Sequence, residues 1–227
     1  MAYDFLYETH MHTSEGSKCA TSTAAQQVRA YKERGYTGII ITDHFINGYC
    51  TCPRDLSWAD KMQYVVKGHT AAKREGDRCG LDVFLGWEFS YRGADFLTYG
   101  LGLDFLIAHP NIDKMPPEEY SKTVRKNGGY IAQAHPYRMA SYINNPAPYD
   151  ASILDGIEVF NSSDPSENNK KTMRFAKKHN LPIQAGTDSH SVHVGFSSGI
   201  VLNKKAESID DIITAIKGFN VEIIASL

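Results

Sequence analysis

The sequence predicts an α/β protein, a single domain over residues 1–227, whose parallel sheet is closed into a barrel. Short apolar or β-branched runs alternate with helix-patterned stretches, which is the signature of parallel strands joined by helical crossovers. A GxGxxG or P-loop string would favour an open nucleotide-binding sheet, and the sequence has neither. Each run also ends in a residue able to bind a metal, as expected where strand C-termini gather on one barrel face.

The first run is Asp4–Tyr7. A helix is predicted over Ser22–Arg34, opening in a Ser/Thr cluster suited to an N-cap and stopping at Gly35. Gly38–Thr42 is the second run, and one long helix is predicted over Ser57–Glu75, stopping at Gly76. Asp82–Trp87 follows, then Phe96–Ala108, read as a hairpin or bent strand. Pro117–Lys126 begins with Pro and closes at Gly128–Gly129, the usual asymmetry of helix ends. Gly129–Ala134 and Gly156–Phe160 are strands, Ser166–His179 a helix, Pro182–Ala185 the seventh strand and Ile209–Lys217 a last helix.

The 24 basic and 26 acidic residues leave a net charge of −2, which gives no bulk electrostatic support for a nucleic-acid coat or a membrane-surface protein. No apolar run approaches the ~20 residues needed to span a bilayer. The start, MAYDFLYETH, lacks the basic and apolar regions of a secretory signal, and four cysteines do not form a disulfide framework. A soluble, cytoplasmic protein with no membrane partner is expected.

Taken in order, the seven run ends supply His10 and His12; Asp43 and His44; Glu88; His109; His135; Glu158 and Asn161; and Asp188 and His190. Imidazole and carboxylate together suit zinc, manganese or iron, whereas a thiolate cage would suggest structural zinc. Residues two apart on an extended strand share a side, so His10 and His12 point together, as do Asp188 and His190. A carboxylate such as Glu88 can bridge two ions, which a neutral imidazole cannot.

The strings ETHMHT (8–13), ITDH (41–44), GWE (86–88), AHP (108–110), AHP (134–136), EVFNSS (158–163) and GTDSH (186–190) together resemble the polymerase and histidinol phosphatase (PHP) family along almost the whole chain. The resemblance implies a distorted seven-stranded β/α barrel holding three divalent metal ions (zinc, manganese or iron). Carried over by position, one site takes His10, His12, Glu88 and Asp188. A second shares Glu88 and adds His109 and His135. The third uses His44, His190 and a residue from the loop after His12, where Glu15 is the natural candidate at a spacing shorter than in members reading HTxxSD. Glu8 stands where the family commonly has Asp, as a carboxylate orienting a histidine.

The implied function is metal-dependent phosphoesterase chemistry, in which clustered dications lower the pKa of a bound water. Three further residues are assigned to the reaction: Arg138 as a bidentate phosphate clamp, with Arg92 as second choice; Asp43 as an orienting carboxylate; and His193 as a lining of the cleft. A small phosphomonoester, as in histidinol phosphatases, is the preferred substrate. An exonuclease or phosphodiesterase acting on nucleotides or nucleic-acid ends is the alternative, supported only by a basic helical stripe at Lys170, Lys171, Arg174, Lys177 and Lys178, itself better read as a solvated face. A non-catalytic metal-binding scaffold is the third reading. No oligomeric state is assigned.

Other motifs are set aside. Cys50 and Cys52 lack a second thiol pair and read as free thiols. GFSSG (195–199) fits a nucleophile elbow, but no His follows position 193. The sequon at Asn161 reads as cleft lining. His69 and His179 fall in predicted helices and read as solvated. The loops 46–58 and 138–149 are the expected cleft walls.

Overall fold

The computed structural model describes residues 5–141, 143, 146–193 and 197–226. β1 (Phe5–Met11), β2 (Gly38–Ile41), β3 (Asp82–Tyr91), β4 (Ala94–Tyr99), β5 (Tyr130–Ala134), β6 (Gly156–Asn161), β7 (Ile183–Gly186), β8 (Ser197–Leu202) and β9 (Glu222–Ser226) form one sheet in the order β7-β6-β5-β4-β3-β2-β1-β8-β9. The two ends of the seven-strand arc meet beyond β7. Met11 bridges Ser189, and the Asp188 N–H donates to the His10 carbonyl at 2.8 Å. The Thr9 hydroxyl adds a bond to the Ala185 carbonyl at 2.9 Å. The mixed sheet thus nearly closes into a distorted barrel.

The helices are α1 (Ala24–Glu33), α2 (Trp58–Val65), α3 (Lys67–Cys79), α4 (Leu103–Ala108), α5 (Pro117–Lys126), α6 (Ser166–His179) and α7 (Ile209–Lys217). The last three match their predicted bounds. Thr23 and Gln26 form a capping box at the start of α1. Among the described residues no helix is long and apolar enough to cross a membrane.

Three departures from expectation matter for the site. The long helix predicted over 57–75 is two helices broken at Val66. The break seats Gly68 of α3 directly on Asp43, where a Cβ would collide with the carboxylate. The run 96–108 is half strand and half helix, because Gly100 at φ +80° ends β4 and Gly102 starts α4. β4 runs antiparallel to both neighbours, so its first residues, not its last, lie on the face where β3 and β5 end. Finally, β8 and β9 were not anticipated; both run antiparallel and extend the sheet beyond β1.

The interior near the start of the parallel strands is apolar: Tyr7, Leu97, Tyr99 and Tyr130 cluster with Ile212 and Ile216 of α7. The opposite end is polar, although His10, His12, Glu88 and Asp188 are all buried there.

Candidate metal centre

The hydrogen-bond partners of the two β1 histidines set which nitrogen each presents. His10 Nδ1 donates to Glu158 Oε1 on β6 at 2.9 Å, which turns Nε2 toward the cluster. Ser17 Oγ donates to Asp43 Oδ1 at 2.8 Å, so it accepts from His12 Nδ1 at 3.0 Å. The two Nε2 atoms then face each other 3.3 Å apart. Both rings therefore present Nε2 to the same point of the cluster.

Glu88 lies at the centre of the cluster. Its Oε1 is 3.2 Å from His135 Nε2 and 3.3 Å from His10 Nε2, while Oε2 is 2.8 Å from His44 Nδ1 and 3.4 Å from His12 Nε2. Glu88 Oε2 and His44 Nδ1 are buried yet make no well-formed hydrogen bond. Buried polar atoms are nearly always satisfied, so such a pair marks missing partners. Asp188 closes the ring, with Oδ1 3.1 Å from His12 Nε2 and 3.4 Å from His10 Nε2.

Burial alone would raise the Glu88 and Asp188 carboxyls, but the adjacent imidazoles, with Arg138 beside Asp188, hold both well below the usual range. Burial likewise opposes charge on His10 and His44, yet the carboxylates around them push both well above the ordinary imidazole value. His12 behaves oppositely: burial and the neighbouring His44 bring it down to about 3, so it stays neutral. The cluster therefore calls for positive charge while keeping a neutral donor ready.

Among the described residues, four groupings have donor atoms close enough to share an ion: His10–His12–Glu88, His10–His135–Asp188, His12–His44–His190 and Glu88–Asp95–His135. His190 Nδ1 donates to the Asp188 carbonyl at 2.8 Å, which frees Nε2. His135 and Asp188 adopt left-handed backbone conformations, at φ +26° and +52°. Such strain in non-glycine residues concentrates at functional sites. The donor set, its unsatisfied atoms and its charge fit a group of divalent cations.

The cluster opens into a cavity of about 560 Å³ lined by Cys19, Tyr49, Asp95 and Arg138 together with His44, Glu88, His135, Asp188 and His190. Arg138 places Nη1 2.6 Å from Asp188 Oδ2 and Nε 2.6 Å from Asp164 Oδ1, so the predicted clamp lies at the cluster.

Of the nine sequence-predicted ligands, the geometry unites His10, His12, His44, Glu88, His135, Asp188 and His190. Two lie elsewhere. Glu15 accepts the Ala24 N–H at 2.9 Å and so caps α1 rather than entering a ligand group. His109 follows a helix, with its Nδ1 donating to the Phe105 carbonyl at 2.7 Å. The antiparallel β4 brings Asp95 to the Glu88–His135 grouping instead. The hairpin lies between β3 and β4 and not within 96–108, and Asp95 precedes the run as the sequence bounded it, so no sequence signal pointed to it.

Asp43 is an orienting carboxylate as expected, whereas His193, Arg92, Glu8 and His69 depart from expectation. Asp43 does not touch the cavity; it accepts from Thr13 N, Thr13 Oγ1 and Ser17 Oγ, acting on His12 through Ser17. Burial raises its carboxyl to about 6, still ionised at neutral pH. His193 is exposed and belongs to no ligand group. Arg92 is exposed, with its guanidinium over the Tyr91 ring. Glu8 accepts the backbone N–H groups of His10 and Thr187, tying β1 to the loop after β7, while Glu158 orients the His10 ring. The basic residues of α6 are exposed, as a solvated face would be. His69 is not the solvated residue expected, since burial lowers its pKa to about 4. Gly195 and Phe196 of GFSSG, and Tyr142, Asn144 and Asn145 of the 138–149 loop, lie outside the described residues.

No protein-family model and no curated protein matches this sequence. Solved structures do match. A two-domain protein from Bacteroides vulgatus ATCC 8482, described as containing a PHP-like metal-dependent phosphoesterase, superposes at TM-score 0.74 and 14% identity, covering 99% of this chain and 66% of that one. A metal-dependent phosphoesterase by description, from Bifidobacterium adolescentis ATCC 15703, gives TM-score 0.57 at 16% identity, with 95% and 96% covered. The lesion-specific endonuclease EndoQ of Pyrococcus furiosus gives 0.61 at 15%, with 96% of this chain and 57% of that one covered. The fold is that of PHP-like phosphoesterases.

Proposed function

We propose that this chain is a metal-dependent phosphoesterase acting on a small phosphomonoester. The observation that carries the reading is the Glu88 carboxylate, which meets four imidazoles while one of its buried oxygens lacks a hydrogen bond. His10, His12, His44, Glu88, His135, Asp188 and His190 would hold the divalent ions, which when bound would supply Lewis acidity and activate water near neutral pH.

The chain's own groups do the rest. Glu158 and Ser17 hold the His10 and His12 rings so that Nε2 faces the cluster. Such partners fix ring orientation and donor strength. Arg138 carries the cationic fork at the cavity wall, suited to phosphate oxygens that arrive beside Asp188. A cavity of about 560 Å³ suits a metabolite-sized ligand. The exposed Tyr49, at its wall, and Met139, next to Arg138, offer apolar surface for a carbon skeleton.

The deciding experiment compares an aryl phosphomonoester with the matching diester, using protein reconstituted with manganese or with zinc. Monoester turnover abolished by chelation is the expected result. Preferential diester cleavage would move the assignment to nucleotides or nucleic-acid ends. Metal binding without turnover of either would favour a non-catalytic scaffold.

A further inference from the structure

The loop between β1 and α1 fails to deliver Glu15 to the His12–His44–His190 grouping but delivers another donor. Backbone bonds bracket Cys19: Lys18 N donates to the Tyr49 carbonyl at 2.9 Å, and Thr21 N donates to the His190 carbonyl at 2.8 Å. The residue between them is thereby held among the loops that carry His44 and His190. Cys19 lines the cavity together with both histidines, so its thiol shares that wall with their imidazoles. It is a free thiol.

Independent observations mark the same spot as a ligand position. The three imidazoles have donor atoms within reach of one ion, a grouping that does not itself include the Cys19 sulfur, which stands at the cavity wall beside it. The buried Glu88 Oε2, without a hydrogen bond, lies 2.8 Å from His44 Nδ1 and 3.4 Å from His12 Nε2. A neutral imidazole, two further imidazoles and a thiol form a nitrogen–sulfur set, unlike the carboxylate-rich grouping around His10.

We propose that Cys19 is a thiolate ligand of the His12–His44–His190 site, giving this one position of the cluster a nitrogen–sulfur character that selects zinc, iron or cobalt over manganese. On binding, a sulfur–metal bond forms and the thiol proton is released to solvent. Thiolate is the soft donor of such sites, whereas manganese favours oxygen. The proposal deepens the phosphoesterase reading and rests on its claim that the cluster binds metal.

Cobalt(II) provides the test without reference to turnover. Metal-free full-length protein is titrated with cobalt and its absorption recorded for wild type, Cys19→Ser and Cys52→Ser. A near-ultraviolet thiolate-to-cobalt charge-transfer band is expected in wild type and Cys52→Ser and is absent from Cys19→Ser, which keeps the visible cobalt bands of the remaining sites. Visible bands in wild type without charge transfer, or an unchanged band in Cys19→Ser, would overturn the Cys19 assignment alone. No cobalt binding at all would overturn the metal-centre reading with it. Should Cys19→Ser fail to fold, iodoacetamide labelling of wild type decides: zinc is expected to slow alkylation of Cys19 at least about tenfold. Equal labelling with and without zinc would refute the proposal.

Discussion

Asp188 is shared between Arg138 and the imidazole cluster. Its Oδ2 lies 2.6 Å from Arg138 Nη1, while its Oδ1 lies 3.1 Å from His12 Nε2. The guanidinium therefore sits one carboxylate away from the ligands, close enough to meet a substrate held there but not itself a ligand. Asp164 and Asn161 fix its other nitrogens.

Replacing Arg138 with Ala should leave bound metal unchanged and lower kcat/KM about 10- to 100-fold, the cost of losing charge-assisted bonds to phosphate. Arg138→Lys should recover only part of this, because an ammonium lacks the fork. Elemental analysis alongside steady-state kinetics tests both. Metal lost from Arg138→Ala would contradict the clamp role.

The candidate ligands legible in the sequence are those whose strands run parallel. His10, His12, His44, Glu88, His135, Asp188 and His190 follow strands whose C-termini share one face, so a one-dimensional rule located them. His109 failed because the rule reverses for an antiparallel strand, and only pairing reveals that β4 is one. Glu15 failed for a local reason: the N-terminus of α1 offers a carboxylate a nearer partner. The break at Val66 and the contact of Gly68 with Asp43 depend on how α3 packs, which helical periodicity does not encode. Cys19 was invisible because its neighbours His44 and His190 are distant in sequence.

Ligand and orienting residues should separate in metal affinity. His10→Ala removes a donor from two groupings and Asp188→Ala from one, and both are expected to abolish turnover and lower the metal content per chain. Glu158→Ala removes the acceptor of the His10 Nδ1 proton, together with that of the His135 N–H and the Asn161 amide, and should weaken metal binding about 10- to 100-fold, leaving saturation possible at high metal. Isothermal titration of metal-free protein measures this. Full metal content and activity in Asp188→Ala would sink the site assignment.

Glu15 offers a direct contrast between the expected and observed roles. As a cap on α1 its replacement by Ala should cost about 1 kcal/mol in urea unfolding, with metal stoichiometry unchanged. A ligand would behave in reverse, losing an ion while stability of the metal-free protein held. The paired measurement on metal-free and metal-loaded protein distinguishes the two, and loss of an ion would restore Glu15 to the site.

His69 on α3 gives the fold an acid-sensitive contribution independent of the metal cluster. Burial, reinforced by Lys73, lowers its pKa to about 4, while a hydrogen bond to the Val83 backbone opposes the shift. The unfolded chain takes up a proton near pH 6.5, where the folded chain does not. The contribution is therefore fully present above about pH 6.5 and is lost as pH falls toward 4, amounting to on the order of 1–3 kcal/mol. His69→Gln removes the titration, so the stability difference between variant and wild type should shift toward the variant across that window. Urea unfolding of metal-free protein at pH 7 and about pH 4.5 measures it. A difference that does not change with pH, or a His69 NMR titration midpoint near 6.5, would show that the ring is solvated after all.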